Sequence, residues 1–323
     1  MSDPAPAAAP PSAPAAVHRA ALRRQKIARA IRMRHVYSLL VLSFGLLVVF
    51  KYIPIYGVLI AFKDFTIHRG IVASPWNDFE HFRWLFRDPF FLRVLFNTFW
   101  ISVLRIVFSF PMPIILALML NEVRSSLYKR TSQTISYLPH FISWVILGGI
   151  LTEILSPQRG IAGYIWTLLG WEPVNWLARK ETFRGLLVVT GIWQGVGWGS
   201  IIYLAALSSV DPTLYEAAAI DGANRYHQAR YVSLPSLIPA IVILFLLQVG
   251  NILEESFQQI FNLYNPAVYE VADVFSTYIY RSGIEQARYS YSTAVGLFQN
   301  TVGVVVLIGV NWILRRFSEY AIW

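Results

Sequence analysis

Six apolar runs, each roughly twenty to thirty residues long, govern what this chain can fold into. They lie at about 37–62, 90–120, 134–155, 183–207, 236–255 and 289–314. A run of that length matches a helix crossing the hydrocarbon core of a bilayer. In lipid each backbone N–H and C=O must be paired within the structure itself, so the runs are predicted as helices. The expectation is an all-α membrane protein with six transmembrane helices. Composition fits: 56% of residues are hydrophobic, 15% aromatic and only 14% charged, and the mean hydropathy is +0.50. A soluble domain carries far more charge.

There is no cysteine, which excludes disulfides, thiol chemistry and Cys-ligated metal. The formal net charge of +9 does not point to nucleic acid. Much of it sits in Arg19, Arg23, Arg24, Lys26, Arg29, Arg32 and Arg34, beside the first apolar run. The excess of basic residues on cytoplasmic segments accounts for it. Residues 1–17, almost all Ala, Pro and Ser, are predicted as a disordered tail. Residues 18–36 form a basic cytoplasmic segment at the inner leaflet, and 37–316 the membrane domain. The segment 317–323 is a cytoplasmic tail. An uncleaved first span and six crossings place both termini in the cytoplasm of a multi-pass inner-membrane protein.

Between the fourth and fifth runs lies a polar insertion, 208–235. Asp211-Pro212 stops the preceding helix, since proline disfavours helical geometry in the residue before it. Thr213 and Glu216 have capping-box spacing, so a short helix is predicted to start at Thr213. Gly222 ends it in a left-handed cap. Asn224 caps a second short helix, which Pro235 closes. Alanines 217–219 let another protein approach the backbone of the first helix.

Glu216-Ala217-Ala218, Gly222, Val232 and Leu234-Pro235 resemble, in identity and spacing, the EAA loop of ABC importer permeases. Val232 stands where isoleucine is usual. Phe50-Lys-Tyr-Ile-Pro-Ile-Tyr-Gly57, Ile60-Ala-Phe-Lys-Asp-Phe65, Ser74-Pro75-Trp76 and Tyr278-Ile-Tyr-Arg281 are similar to the LplB-like carbohydrate and polysaccharide branch, which includes the permeases of bacterial alginate importers. The resemblance implies a type I ABC importer permease with a cytoplasmic coupling loop at Glu216, Ala217, Ala218, Asp221 and Gly222. It also implies a second homologous permease, a dimer of cytoplasmic ATPase subunits holding ATP and Mg, and an extracytoplasmic solute-binding protein. This chain would bind no cofactor itself and would carry an oligosaccharide or polysaccharide fragment.

Similarity to the sugar-contacting helices of the maltose permease places a substrate path along Trp193, Gln194, Gly197, Trp198, Ser200 and Tyr203, and along Gln248, Gly250 and Asn251. The glycines of the fourth run also suit plain helix packing. Gln248, Asn251 and Glu255 share a helical face. Two intramembrane cations have two readings each. Lys51, about 20 Å along its helix, either snorkels or faces the path. Arg105 either forms an internal ion pair or meets substrate. Trp166, Trp171 and Trp176 mark a membrane interface or, alternatively, a sugar-stacking platform.

The chain has no GxxxxGK[ST] nucleotide motif, no metal cluster and no paired carboxylates at catalytic spacing. It therefore reads as a permease subunit and not an enzyme. A secondary transporter driven by an ion gradient is the alternative; internal repeats around a midplane carboxylate would favour it, and none is evident.

Overall fold

The computed structural model describes residues 33–250, 253 and 257–316. The tail 1–17, the basic residues 18–32, Asn251, Glu254, Glu255 and the segment 317–323 lie outside the described residues. Helix is the only extended regular structure among those described, beside an isolated bridge between Lys63 and Trp76. The contacts divide the chain into one unit ending at Leu59 and a second beginning at Ile60.

The first unit contains α1 (Arg34–Leu47), a π-helical turn at Val48–Tyr52 and a short helical piece at Ile53–Ile55. None of its apolar window is buried, and Phe50 is 70% exposed. A helix apolar all round needs lipid or partner helices as its surroundings.

The second unit opens with an irregular hairpin carrying α2 (Glu80–Arg87), then α3 (Pro89–Leu104), a π turn at Arg105–Ser109 and α4 (Pro111–Asn121). α5 (Ser126–Tyr137), α6 (Trp144–Ile154) and α7 (Ile161–Leu168) lead to the long α8 (Lys180–Ser208). The insertion holds α9 (Pro212–Ile220) and α10 (Arg225–Gln228). A π turn at Ala229–Ser233 joins α10 to α11 (Leu234–Gly250). α12 (Phe257–Leu263), α13 (Phe275–Tyr280) and α14 (Tyr289–Leu314) complete it.

Three of the π turns share one cause. Proline lacks an N–H and its ring collides with the carbonyl four residues earlier. Pro54, Pro111 and Pro235 each sit two residues beyond a π turn. The residue before each proline donates five residues back: Ile53 to Val48, Phe110 to Arg105 and Leu234 to Ala229. The widened turn makes room for the ring, so the helix continues. This corrects the reading of Pro235 as a helix end: Arg225–Gly250 is a single span.

The third apolar run is also not one straight helix. α5 and α6 meet at 102°, separated by a tight turn at Leu138–Phe141 that contains Pro139. Ser143 restarts the helix by accepting from the Ile146 N–H at 3.5 Å. α5 begins at Ser126, well before the start of the apolar run at about 134. Among the described residues, five helices are long and apolar enough to cross a membrane, or six with the bent pair.

Packing within the second unit is organised in three apolar clusters. One joins α3, α6, α8 and α12 through Ile101, Leu147, Leu187 and Ile260. Another joins α2, α3, α13 and α14 through Leu85, Phe91, Phe275 and Val295. The third joins α4, α8 and α11 through Ile114, Ala117, Tyr203 and Leu237. Gly197 lets α8 close onto the end of α5: a Cβ there would lie 2.1 Å from the Ser136 carbonyl oxygen.

Candidate functional site: the α9 elbow and the cavity above it

The elbow begins at Asp211 and not at Thr213. The Asp211 carboxylate accepts from the Thr213 N–H at 2.9 Å, and Pro212 occupies the first helical position. Proline suits that position because its missing N–H has no intrahelical partner there. Hydrogen bonding from the Thr213 backbone, then from its side chain, holds the Asp211 carboxyl below the usual carboxylate range. Glu216 is therefore not a capping-box partner; it stands exposed on α9 with Ala217.

The far end matches its expectation. Gly222 has φ +79°. Its N–H bonds the Ala219 carbonyl at 3.1 Å, and the Ala223 N–H bonds Ala218 at 2.9 Å. These two crossed bonds cap the last carbonyls of α9. Asn224 caps α10 by accepting from the His227 N–H at 2.9 Å. Tyr215 ties α9 to the π turn through the Ser233 hydroxyl at 2.9 Å, and Arg225 donates to the Glu122 carbonyl at 3.1 Å. The opposite face is open, with Ile220 86% exposed. The elbow is thus a rigid knob with a bare apolar tip.

α8 enters the elbow and α11 leaves it, and both wall a cavity of about 530 Å³. α3, the π turn after it and α4 supply the rest of the lining. Its polar groups are Ser102, Arg105, Ser109, Tyr203 and Gln248, set among Ile106, Phe110, Val196, Ile202 and Leu244. Gly191, Gly195 and Gly199 form its α8 wall, and no atom lies within 4 Å of a Cβ built at Gly195. Arg105 donates to the Gln259 Oε1 at 2.6 Å. The Gln259 amide donates in turn to the Leu187 carbonyl at 2.7 Å and to Thr190 at 2.9 Å. Gln259 is 1% exposed, so it anchors Arg105 from the loop side of the cavity.

The expected path residues divide among several faces. Tyr203, Gln248 and Arg105 share this cavity. Gln194 faces a different groove with His140, Ser143 and Gln258. Trp198 stacks on His140, ring centres 4.7 Å apart and planes 3° from parallel. Trp193 is 45% exposed. Ser200 is buried, and its hydroxyl donates to the Gly197 carbonyl at 2.7 Å. Gly250 abuts Leu307 of α14. Asn251 is outside the described residues, and Lys51 is exposed in the first unit. Trp166, Trp171 and Trp176 cluster, with ring centres 4.6 and 5.6 Å from Trp166.

Gln259 and His140 escaped the sequence reading. Gln259 lies on the short helix α12, between the long apolar runs, with no periodicity to mark it. For His140 a signal existed: Pro139 followed by a helix-capping serine at 143.

A polar network holds the loop-side end of the bundle. Asn97, 1% exposed, donates to the Glu270 and Asp273 carbonyls at 3.0 and 3.1 Å and accepts from Arg184 at 2.7 Å. Arg281 pairs with Asp273, and Lys180 with Glu270. A side-chain hydrogen bond from Lys180, then its charge, keeps Glu270 below the usual carboxylate range.

Comparison with known proteins agrees with this architecture. The family described as binding-protein-dependent transport system inner membrane component matches residues 109–319. Protein LplB of Bacillus subtilis (strain 168) is 41% identical over 288 residues, 89% of this chain and 91% of its own length. The polygalacturonan/rhamnogalacturonan transport system permease protein YteP of the same organism is 38% identical over 313 residues, 97% of this chain and 98% of its own. A chain from the crystal structure of a bacterial ABC transporter involved in the import of the acidic polysaccharide alginate superimposes with a TM-score of 0.84 at 40% identity, covering 91% of this chain and all of that one. A chain from the alginate transporter in complex with an alginate pentasaccharide-bound periplasmic protein gives 0.83 at 39% identity, covering 91% and 99%. This chain belongs to the binding-protein-dependent transport system inner membrane components, and its fold is that of a type I ABC importer permease.

Proposed function

We propose that the chain forms one half of the membrane path of an ATP-driven importer for acidic oligosaccharides, such as fragments of alginate or polygalacturonan. A second homologous permease would supply the other half. An extracytoplasmic solute-binding protein would deliver the sugar, and two ATPase subunits carrying ATP and Mg²⁺ would grip the α9 elbows from the cytoplasm. Both termini then lie in the cytoplasm. The ion-gradient alternative has no support in the family relationship.

One observation carries this reading: α8 and α11, the two helices that the elbow joins, both wall the cavity. A displacement of α9 would reach α8 across the short link 209–211, and α11 through α10 and the π turn to which the Tyr215–Ser233 hydrogen bond ties α9. Closure of the ATPase dimer would pull α9 and change the opening of the cavity. Within it, Arg105 supplies a fixed positive charge, which suits a uronate carboxylate, while Gln248 and Tyr203 supply hydrogen-bonding groups for hydroxyls. An apolar wall with a few placed polar groups is the ordinary chemistry of a small-molecule site.

Gly195→Phe tests it. The ring would enter open cavity space without displacing backbone, so the complex should assemble normally. Sugar uptake into proteoliposomes is expected to fall at least tenfold. Uptake at the wild-type rate in an assembled Gly195→Phe complex would exclude this cavity as the path.

A further inference from the structure

A second cleft, of about 1010 Å³, opens at the end of the bundle where α3 and α14 begin, away from the α9 elbow. It shares no lining residue with the cavity described above. The hairpin preceding α3 forms one wall and the start of α14 the other. The Phe65 N–H donates to the buried Ser290 hydroxyl at 2.9 Å and pins the walls together. Asp88 receives the Tyr278 and Tyr291 hydroxyls at 2.8 and 3.1 Å. His81 lies 3.4 Å from the Asp64 carboxylate. Trp84 and Phe90 stand at the rim, 63% and 62% exposed, with Arg87 and Arg288 also exposed.

Backbone strain gathers at the same place. Among the described residues, the non-glycine positions with positive φ are Asp78, Phe79 and Ala287, at 47°, 62° and 55°. Ala287 lines the cleft, and Asp78 and Phe79 immediately precede the lining residues Glu80 and His81. Each such conformation is strained and persists where surrounding structure enforces it, often at ligand sites.

We propose that this cleft is a separate saccharide subsite, a landing site for an acidic oligosaccharide before it enters the span bundle. The assignment takes its substrate class from the function proposed above. The lining carries two guanidiniums and three carboxylates, those of Asp64, Glu80 and Asp88, a mixture suited to a chain that bears both carboxylates and hydroxyls. Trp84 and Phe90 offer flat apolar faces to the C–H side of a pyranose ring. Asp64 and Glu80 accept from hydroxyls, Asp88 being engaged by Tyr278, Tyr291 and the Phe90 N–H, and the exposed guanidiniums of Arg87 and Arg288 match sugar carboxylates. The volume stands at the upper end of the usual range of about 300–1,000 Å³ for ligand pockets, which suits an oligosaccharide over a single sugar.

The test uses the assembled importer in phosphatidylcholine nanodiscs, without binding protein, titrated with trigalacturonate in a calorimeter. Saturable binding is expected, weakened about tenfold by Trp84→Ala and by Arg288→Ala. Both side chains are exposed, so these variants should fold. Gly195→Phe, which blocks the other cavity, should keep the binding that the two cleft variants weaken. Absence of saturable binding at millimolar trigalacturonate, or binding that neither cleft variant weakens, would overturn the subsite. Loss of binding in phosphatidylglycerol nanodiscs would show a lipid headgroup as the occupant and overturn the saccharide assignment as well. If the cleft variants bind normally while Gly195→Phe fails to transport, the subsite falls and the path stands. Cleft-dependent binding with normal transport by Gly195→Phe supports the subsite and overturns the path.

Discussion

Replacing Gly222 separates the geometry of the elbow from its surface. At φ +79° the glycine closes the two crossed bonds that cap α9. No atom lies within 4 Å of a Cβ built there, so Gly222→Ala introduces no collision. Its cost is that of an L-residue in the left-handed region, about 1–2 kcal/mol. The lower entropy of the unfolded alanine chain offsets part of this, by about 0.4–1 kcal/mol. A net loss of about 1 kcal/mol lowers the ratio of capped to uncapped elbow roughly fivefold. Asparagine tolerates the left-handed region and should largely restore the cap. The assay is ATPase activity stimulated by loaded binding protein in the reconstituted complex. The expected order is wild type, Gly222→Asn close behind, then Gly222→Ala, with Gly222→Val lowest. If Asn fell as far as Ala, the position would act through contact with its partner and not through backbone conformation. If Ala matched wild type, the cap would play no part in coupling.

Three further outcomes follow from the packing and electrostatics. Gly197→Ala should lower the thermal midpoint clearly, because its Cβ would lie 2.1 Å from the Ser136 oxygen, whereas Gly185→Ala, with nothing within 4 Å, should not; fluorescence-detected melting in detergent compares them. Asn97→Leu removes the partner of the Glu270 and Asp273 carbonyls and of the Arg184 Nη2, whose Nε keeps the Val271 carbonyl, and should cost about 1–3 kcal/mol, read as a lower melting temperature that Asn97→Gln does not fully restore. Glu270 is held below the ordinary carboxylate range by Lys180, so its contribution is complete above that range and is lost as pH falls through the depressed value. Melting temperature against pH should accordingly decline less steeply at the acid end for Glu270→Gln than for wild type.

Much of the architecture was legible because a bilayer imposes a simple rule on length and polarity. The runs beginning near 90, 183 and 289 correspond to Pro89–Asn121, Lys180–Ser208 and Tyr289–Leu314. Gly222 was legible because a left-handed cap has few acceptable residues. Proline was harder to interpret, since its effect depends on its neighbours. Pro212 belongs to the helix it was expected to precede, as its first residue, and Pro235 is absorbed by a π turn. The bend in the third run had a signal in Pro139, His140 and Ser143, but the apolar stretch beyond it reads as a span of ordinary length. The path residues were least legible: a glycine-rich helix presents several faces, and only the neighbours decide which face is open. Gly195 borders empty space, while Gly197, two positions on, is pressed against α5.

The account rests on α9 being the handle by which a motor moves the cavity walls. The chain has no native cysteine, so Ile220→Cys introduces a unique thiol at the bare tip of α9. Cross-linking this variant within the assembled importer, with a short bifunctional thiol reagent and ATPase subunits carrying one cysteine in their membrane-facing groove, measures that contact directly. The account predicts an adduct between this chain and an ATPase subunit whose yield changes when ATP is added. Adducts confined to the binding protein, or none with either ATPase subunit, would contradict it.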